Sequence, residues 1–353
     1  MSSYQLIPPK TQPTAEKKMA RWRWALMALA LSFVVLPGMR AMGSLFGEAQ
    51  ASQAISPTVV LPTVPPVQMH QITPAEYANA IIKTLSLDDE IAQMIMVKLV
   101  GTNYSSTEAV MVQQEHVGAV LAFGDAIANP TQVRQLTANL AGHAYLPLWI
   151  ATDQEGGYVN RFQPLVGYRP GEQVIGATGN LASATAAGRQ TAQDFADFGF
   201  NFALAPVVDI NQPGVTTSQL YGRMYSTDPD AIAPMANAYL EGLQQSGTIV
   251  GTAKHFPGLG AASTDPHRGL PIIYKTQAQL DAHEFVPYRQ LLAMGNVQAI
   301  MVTHEYLPEI DPAYPATLSP KITTGLLRGD LGFQGVIVTD SLDMEALAEQ
   351  YPI

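Results

Sequence analysis

The sequence predicts an α/β protein with a parallel sheet, a TIM-type (β/α)8 barrel short of its last β/α unit. Three observations carry that expectation. Seven short apolar runs alternate with longer amphipathic stretches, the pattern of strands joined by crossover helices. Most of these runs are apolar almost throughout, as strands covered on both faces must be. Polar and ionisable residues gather where the runs end, and in a barrel the carboxyl ends of the strands share one mouth. A doubly wound open sheet is the alternative the same alternation allows.

In chain order, residues 1–23 form a basic segment, with Lys17, Lys18, Arg21 and Arg23 before an uncharged run from Trp24 to Met39. Sixteen residues is short for a spanning helix and long for a signal-peptide core, so 24–43 reads as membrane anchor or signal peptide alike. The cations put the amino terminus in the cytoplasm and send the rest of the chain across the membrane. The domain is therefore expected to be extracytoplasmic, membrane-anchored or secreted. Residues 44–72 carry Pro57, Pro62, Pro65 and Pro66 without a helical period and read as an extended linker. The folded domain is expected over 73–353, opening with a helix capped by Thr73, with Pro74 in its first turn and Glu76 three residues after the cap.

The expected strands are 94–100, 118–123, 147–153, 202–210, 249–255, 299–305 and 335–340. Between them "PTQVRQLTANLAGH", "PDAIAPMANAYLEGLQQSG" and "TQAQLDAHEFVPYRQLLAMG" carry helical patterning. Only thirteen residues come after Asp340, where the barrel pattern calls for a further helix, an eighth strand and a last helix. The expectation is a partial chain or a variant that closes by other means.

Composition narrows the chemistry. A hydrophobic content of 47% supports a large core, and a net charge of −10 repels phosphate backbones, so nucleic acid is not an expected partner. The absence of cysteine removes disulfides, thiolate metal ligands and cysteine nucleophiles. No Gly-rich phosphate loop and no G-x-S-x-G occurs. His255, His267 and His304 with Asp265 or Asp340 contain ligand types for zinc. Lys254 beside His255 sets an ammonium against that use, and no metal is expected.

Two groups of residues stand out. Asp340 ends "GVIVTD", and a carboxylate at a buried strand end is either a cap for the next helix or a functional group. Asp265 and His267 lie two apart in a Pro-rich loop. They are either an Asx turn beside a surface histidine or a pair in which the carboxylate orients the imidazole and raises its basicity.

The blocks "DQEGGYVNRF", "APVVDIN", "GRMYSTDP", "KHFPGLG" with "TDPH", "MVTHEYLPEID" and "GVIVTDSLDMEAL" occur in this order. Together they resemble glycoside hydrolase family 3, most closely its bacterial β-N-acetylhexosaminidase branch. The resemblance implies that Asp340 is the catalytic nucleophile, that His267 is the acid/base and that Asp265 is its dyad partner. It implies that Asp153, Arg161, Arg223, Lys254 and His255 bind the sugar, and that no cofactor is needed. The substrate implied is a glycan with a terminal N-acetylglucosamine, such as a peptidoglycan fragment. Leu259 replaces a frequent histidine and Tyr158 a frequent arginine, departures that bear on substrate detail. The alternatives are a β-glucosidase-like or phosphorolytic relative, or a barrel that binds cell-wall sugar without cleaving it.

Overall fold

The computed structural model describes residues 73–212, 220–348 and 351. The expected basic segment, anchor or signal peptide, and linker lie outside the described residues. Among those described, no helix is long and apolar enough to cross a membrane.

The first helix among the described residues, Pro74–Ile82, forms as its ends dictate: the Thr73 side chain accepts from the Glu76 backbone N–H, and the Glu76 side chain answers at the Thr73 N–H. Helical patterning runs over 73–97 of the sequence, but the helix is interrupted at Ser86, which caps a second helix, Leu87–Ala92, through the same exchange with Asp89. Two competing caps within one apolar period divide it.

Seven parallel strands come next: β1 Met96–Lys98, β2 Ala119–Leu121, β3 Trp149–Thr152, β6 Phe202–Ala203, β7 Val250–Phe256, β8 Ala299–Val302 and β9 Val336–Thr339. Between β3 and β6 a small antiparallel pair, β4 Gln154–Gly156 and β5 Val159–Asn160, forms a separate hairpin. The sheet order is β1-β2-β3-β6-β7-β8-β9, the order of the chain itself. A doubly wound sheet reverses its strand order at a switch point, and the described strands contain no reversal. The arrangement is that of a partial barrel.

Alternation explains the unbroken apolar runs. Ala151, Phe202, Leu204, Ala299 and Met301 pack on one side of the strands, with Met96, Leu121, Val250 and Val338 against them. Their chain neighbours Val120, Ile150, Ala203, Ile300 and Val302 belong to the larger core beneath the helices. Each strand is thus apolar on both faces.

The helix Pro130–His143 spans the whole of its expected segment, capped by Asn129. The stretch 276–295 is instead two helices, Gln277–Ala282 and Phe285–Met294, broken at His283. Pro287 tolerates only the first turn of a helix, which sets the start of the second. In the expected strand 202–210 only Phe202–Ala203 pair as a ladder. Pro206 has no N–H to give a sheet, and the extended chain rejoins β7 at the Val207–Lys254 bridge.

Candidate active site

Asp153 comes directly after β3, and the chain turns back through the β4–β5 hairpin. Gly156 holds that turn at φ +84°, and a Cβ there would lie 2.3 Å from the Pro170 carbonyl oxygen. Within the hairpin Gln154 donates to Asn160 Oδ1 at 2.8 Å and accepts from the Phe162 N–H at 2.9 Å. Phe162 is fully buried against Phe195, Phe198 and Phe200, with ring centroids 5.0–5.6 Å away. Arg161 is carried on this anchor. Its guanidinium carbon lies 5.6 Å from the centre of the Phe123 ring, and its buried Nε has no hydrogen-bond partner among the described residues.

Three of the expected sugar-binding residues meet in one charge cluster. Lys254 Nζ, on β7, donates to Asp153 Oδ1 at 2.7 Å and lies 2.6 Å from Glu155 Oε1. Arg223 closes the other side of Glu155 with two bonds, Nε to Oε2 at 2.7 Å and Nη2 to Oε1 at 2.8 Å. Glu155 and Lys254 are both buried. Burial by itself raises a carboxyl pKa, but the charges of Lys254 and Arg223 outweigh it and hold Glu155 well below the usual carboxylate range. Lys254 is likewise kept charged: burial opposes its ammonium, and Asp153 and Glu155 more than offset that. The nearby Glu172 has the opposite fate, pushed well up by burial and by the charge of Glu155.

His255, next on β7, belongs to a different contact. Its Nδ1 is 2.7 Å from Asp209 Oδ2, and the buried Asp209 also accepts from the Leu259 N–H at 2.7 Å. The loop from Pro257 onward leads to Asp265 and His267, whose Oδ1 and Nδ1 are 2.9 Å apart. Asp265 Oδ1 also accepts from the His267 backbone N–H at 2.9 Å, so the Asx turn and the Asp–His pair are one structure. The His267 side chain is 62% exposed.

Asp340 sits at the end of β9. Its N–H donates to the Val302 carbonyl at 2.8 Å. Its carboxylate accepts from Thr303 Oγ1 at 3.1 Å and from the Ser341 N–H at 2.9 Å. The Ala346 N–H, beyond Asp340, donates to the Pro266 carbonyl at 3.2 Å. The segment after Asp340 is thereby fastened to the loop residue lying between Asp265 and His267. The adjacent His304 is buried, bonding Thr317 Oγ1 and the Ser341 carbonyl at 2.7 Å each, so its role is to hold that segment.

Every residue expected at the site therefore lies at a strand end or on the loop beyond one. Glu155, Asp209 and Thr303 were left without a role by the sequence, although the first two lie where ionisable residues gather at strand ends. Their pairings span 37 residues of chain for Thr303 with Asp340, 46 for Asp209 with His255 and 99 for Glu155 with Lys254. Among the described residues, no three His, Asp or Glu side chains are grouped to hold a metal ion.

Residues 86–352 match the glycosyl hydrolase family 3 N terminal domain. A beta-hexosaminidase of Alkalilimnicola ehrlichii is 33% identical over 266 residues, 73% of this chain and 75% of that protein. A beta-hexosaminidase of Stenotrophomonas maltophilia is 33% identical over 259 residues, 72% of this chain and 76% of the relative. Among solved structures, a family 3 beta-N-acetylglucosaminidase from a Paenibacillus species superposes with a TM-score of 0.72 at 35% identity over 76% of this chain. The match spans 51%, about half, of that longer protein. NagZ from Neisseria gonorrhoeae, in complex with N-trifluoroacetyl-D-glucosamine, superposes with a TM-score of 0.65 at 27% identity, covering 72% of this chain and 76% of that one.

Proposed function

The chain belongs to glycosyl hydrolase family 3, and on that premise we propose that it is a retaining exo-β-N-acetylglucosaminidase acting on terminal N-acetylhexosamine of peptidoglycan-derived or related glycans. The activities by which its relatives are named support the sugar, and the Asp265–His267 pair supports the chemistry. The observation that carries the reading is the tie between Ala346 and Pro266. It fastens the segment beyond one carboxylate to the loop that presents an oriented imidazole.

In this reading Asp340 attacks the anomeric carbon while His267 gives its proton to the departing glycosidic oxygen. The C–O bond to the aglycone breaks, and a glycosyl ester forms on Asp340. His267, now neutral, takes a proton from water as the water displaces Asp340 at the same carbon. The product keeps its β-configuration and both side chains return to their starting states. Thr303 Oγ1 and the Ser341 N–H hold the carboxylate in place, which favours attack by fixing its orientation. Asp153, Arg161, Arg223, Lys254 and His255 bind the sugar, with Lys254 and Arg223 balanced against Glu155 and Asp153 in the wall of the site. No cofactor takes part.

Incubation with 4-nitrophenyl N-acetyl-β-glucosaminide should release nitrophenol, and proton NMR should show the β-anomer of the sugar first. A fluorinated N-acetylglucosamine donor should label Asp340. First release of the α-anomer would overturn the retaining course, and label on another residue would overturn the role of Asp340. Release from the glucoside but not from the N-acetylglucosaminide would favour the β-glucosidase reading. The proposal extends to location: the basic amino-terminal flank and its apolar run support a domain outside the cytoplasmic membrane. Fractionation that finds the chain in the cytosol would reverse that part.

A further inference from the structure

We propose that Asp209 is the positioning residue of this site, one carboxylate that holds both the sugar-binding ring of His255 and the root of the acid/base loop. The proposal rests on the catalytic reading above and adds a residue to it.

Asp209 lies two residues beyond the Val207 bridge to β7, and its side chain is wholly buried. It accepts three N–H donors. Oδ2 takes the His255 backbone N–H at 3.2 Å and the His255 ring Nδ1 at 2.7 Å. Oδ1 takes the Leu259 N–H at 2.7 Å. A carboxylate only accepts, so Nδ1 must carry its proton toward Asp209, and the nitrogen left for a sugar hydroxyl is Nε2. The choice of tautomer at one ring nitrogen is made by the bond at the other.

The third bond reaches a different element. Leu259 opens the short turn Leu259–Ala261, six residues before Asp265. The far end of the same loop is fastened separately: the Ile273 N–H donates to Tyr306 O at 2.9 Å, the Tyr306 N–H donates to Pro271 O at 2.8 Å, and Lys275 pairs with Glu284. Asp209 is therefore the anchor of the near end. It sets the position of His255 and the origin of the His267 loop from one atom group, so the sugar and the proton donor share a reference.

Burial, with the charge of Asp209 second, pushes both the Tyr288 hydroxyl and the Glu305 carboxyl well up. The remaining carboxylate nearby, Glu284, is compensated by Lys275.

The test uses the full chain. With histidine labelled in ¹⁵N, the ring of His255 should show a protonated Nδ1 in the unaltered protein; a bare Nδ1 with the proton on Nε2 would overturn the proposal. Asp209→Asn sets an NH₂ group against the donors Asp209 accepts. Loss of a buried bond to a charged group should lower kcat/KM by about 10- to 100-fold. The loss should appear as a raised KM for 4-nitrophenyl N-acetyl-β-glucosaminide. It should appear as a further fall in kcat for N,N′-diacetylchitobiose, whose leaving group needs the proton. A folded Asp209→Asn with unchanged KM and equal kcat loss on both substrates would mean a purely structural carboxylate and refute the coupling. If Asp209→Asn does not fold, the ring signals of the unaltered protein still decide. Those signals need no turnover, so an inactive unaltered chain would count against the proposed function and leave this inference to be judged on its own.

Discussion

Lys254 Nζ lies 2.6 Å from Glu155 Oε1, and neither side chain is more than 2% exposed. The pair joins β7 to the hairpin after β3 across 99 residues of chain, and Arg223 completes it from a third segment. Desolvating these charges is costly, and only their compensation, with Asp153 as the second carboxylate, makes the cluster tolerable. Its presence at the mouth means that the wall of the site is held by electrostatics as well as by packing.

Replacing Glu155 by Gln should leave Lys254 and Arg223 under-compensated in a buried place. Breaking such a pair costs about 3–5 kcal/mol. Urea unfolding should show a midpoint lowered accordingly, and Lys254→Met in the same chain should recover part of the loss. A change below about 1 kcal/mol would mean that Asp153 alone satisfies Lys254.

Glu305 gives a pH signature. Its carboxyl is raised well above the ordinary range by burial, then by Asp209 and Glu284, with Lys275 acting against them. A carboxyl raised on folding binds its proton more tightly in the folded state, so its contribution to stability falls as pH rises above the unfolded value of about 4.3 toward the folded one. Glu305→Gln removes that titration. The stability of the variant relative to the unaltered protein should therefore increase as pH rises above about 4.3 in denaturant titrations. A constant difference would place an ionised carboxylate at Glu305.

His267→Ala should separate substrates by leaving group. General acid catalysis contributes about 10²- to 10⁴-fold, so kcat on N,N′-diacetylchitobiose should fall by that amount and much less on the nitrophenyl sugar. Asp340→Asn should remove turnover of both, on the order of 10⁴-fold or more. Equal losses on the two substrates in the His267 variant would refute its role as acid.

Thr303→Val keeps the shape of a fully buried side chain and deletes one donor to Asp340. A hydrogen bond to a charged group is worth about 1.5–3 kcal/mol, so kcat should fall by about tenfold or more with KM nearly unchanged. An unchanged kcat would show that the Ser341 N–H suffices.

Phe162→Ala should cost about 3–5 kcal/mol by opening a cavity among Phe195, Phe198 and Phe200. Because Arg161 precedes it, KM should rise even where the variant is folded. A stability loss with wild-type KM would mean that Arg161 is positioned by Phe123 instead.

Much of this protein was legible in its sequence because much of it is local. Largely apolar runs located the seven strands of the described sheet, since a strand covered on both faces has little polar side to show; β1 and β9, at the sheet edges, are only partly covered. Thr73 and Glu76 marked the helix Pro74–Ile82 within one turn, and Asp265 with His267 formed the pair that an i, i+2 spacing in a loop permits. What the tertiary structure alone decided was which distant charges meet. Glu155 lies in a block the sequence picks out, yet its function as the hub between Lys254 and Arg223 depends on β3, β7 and a third segment converging on one mouth. Asp209 becomes an anchor only because β7 brings His255 beside it, and Thr303 bonds Asp340 only because β8 and β9 run in register. Periodicity reports which face of one element is buried; it carries no information on how separate elements are stacked, and that stacking is what sets the charges within bonding distance.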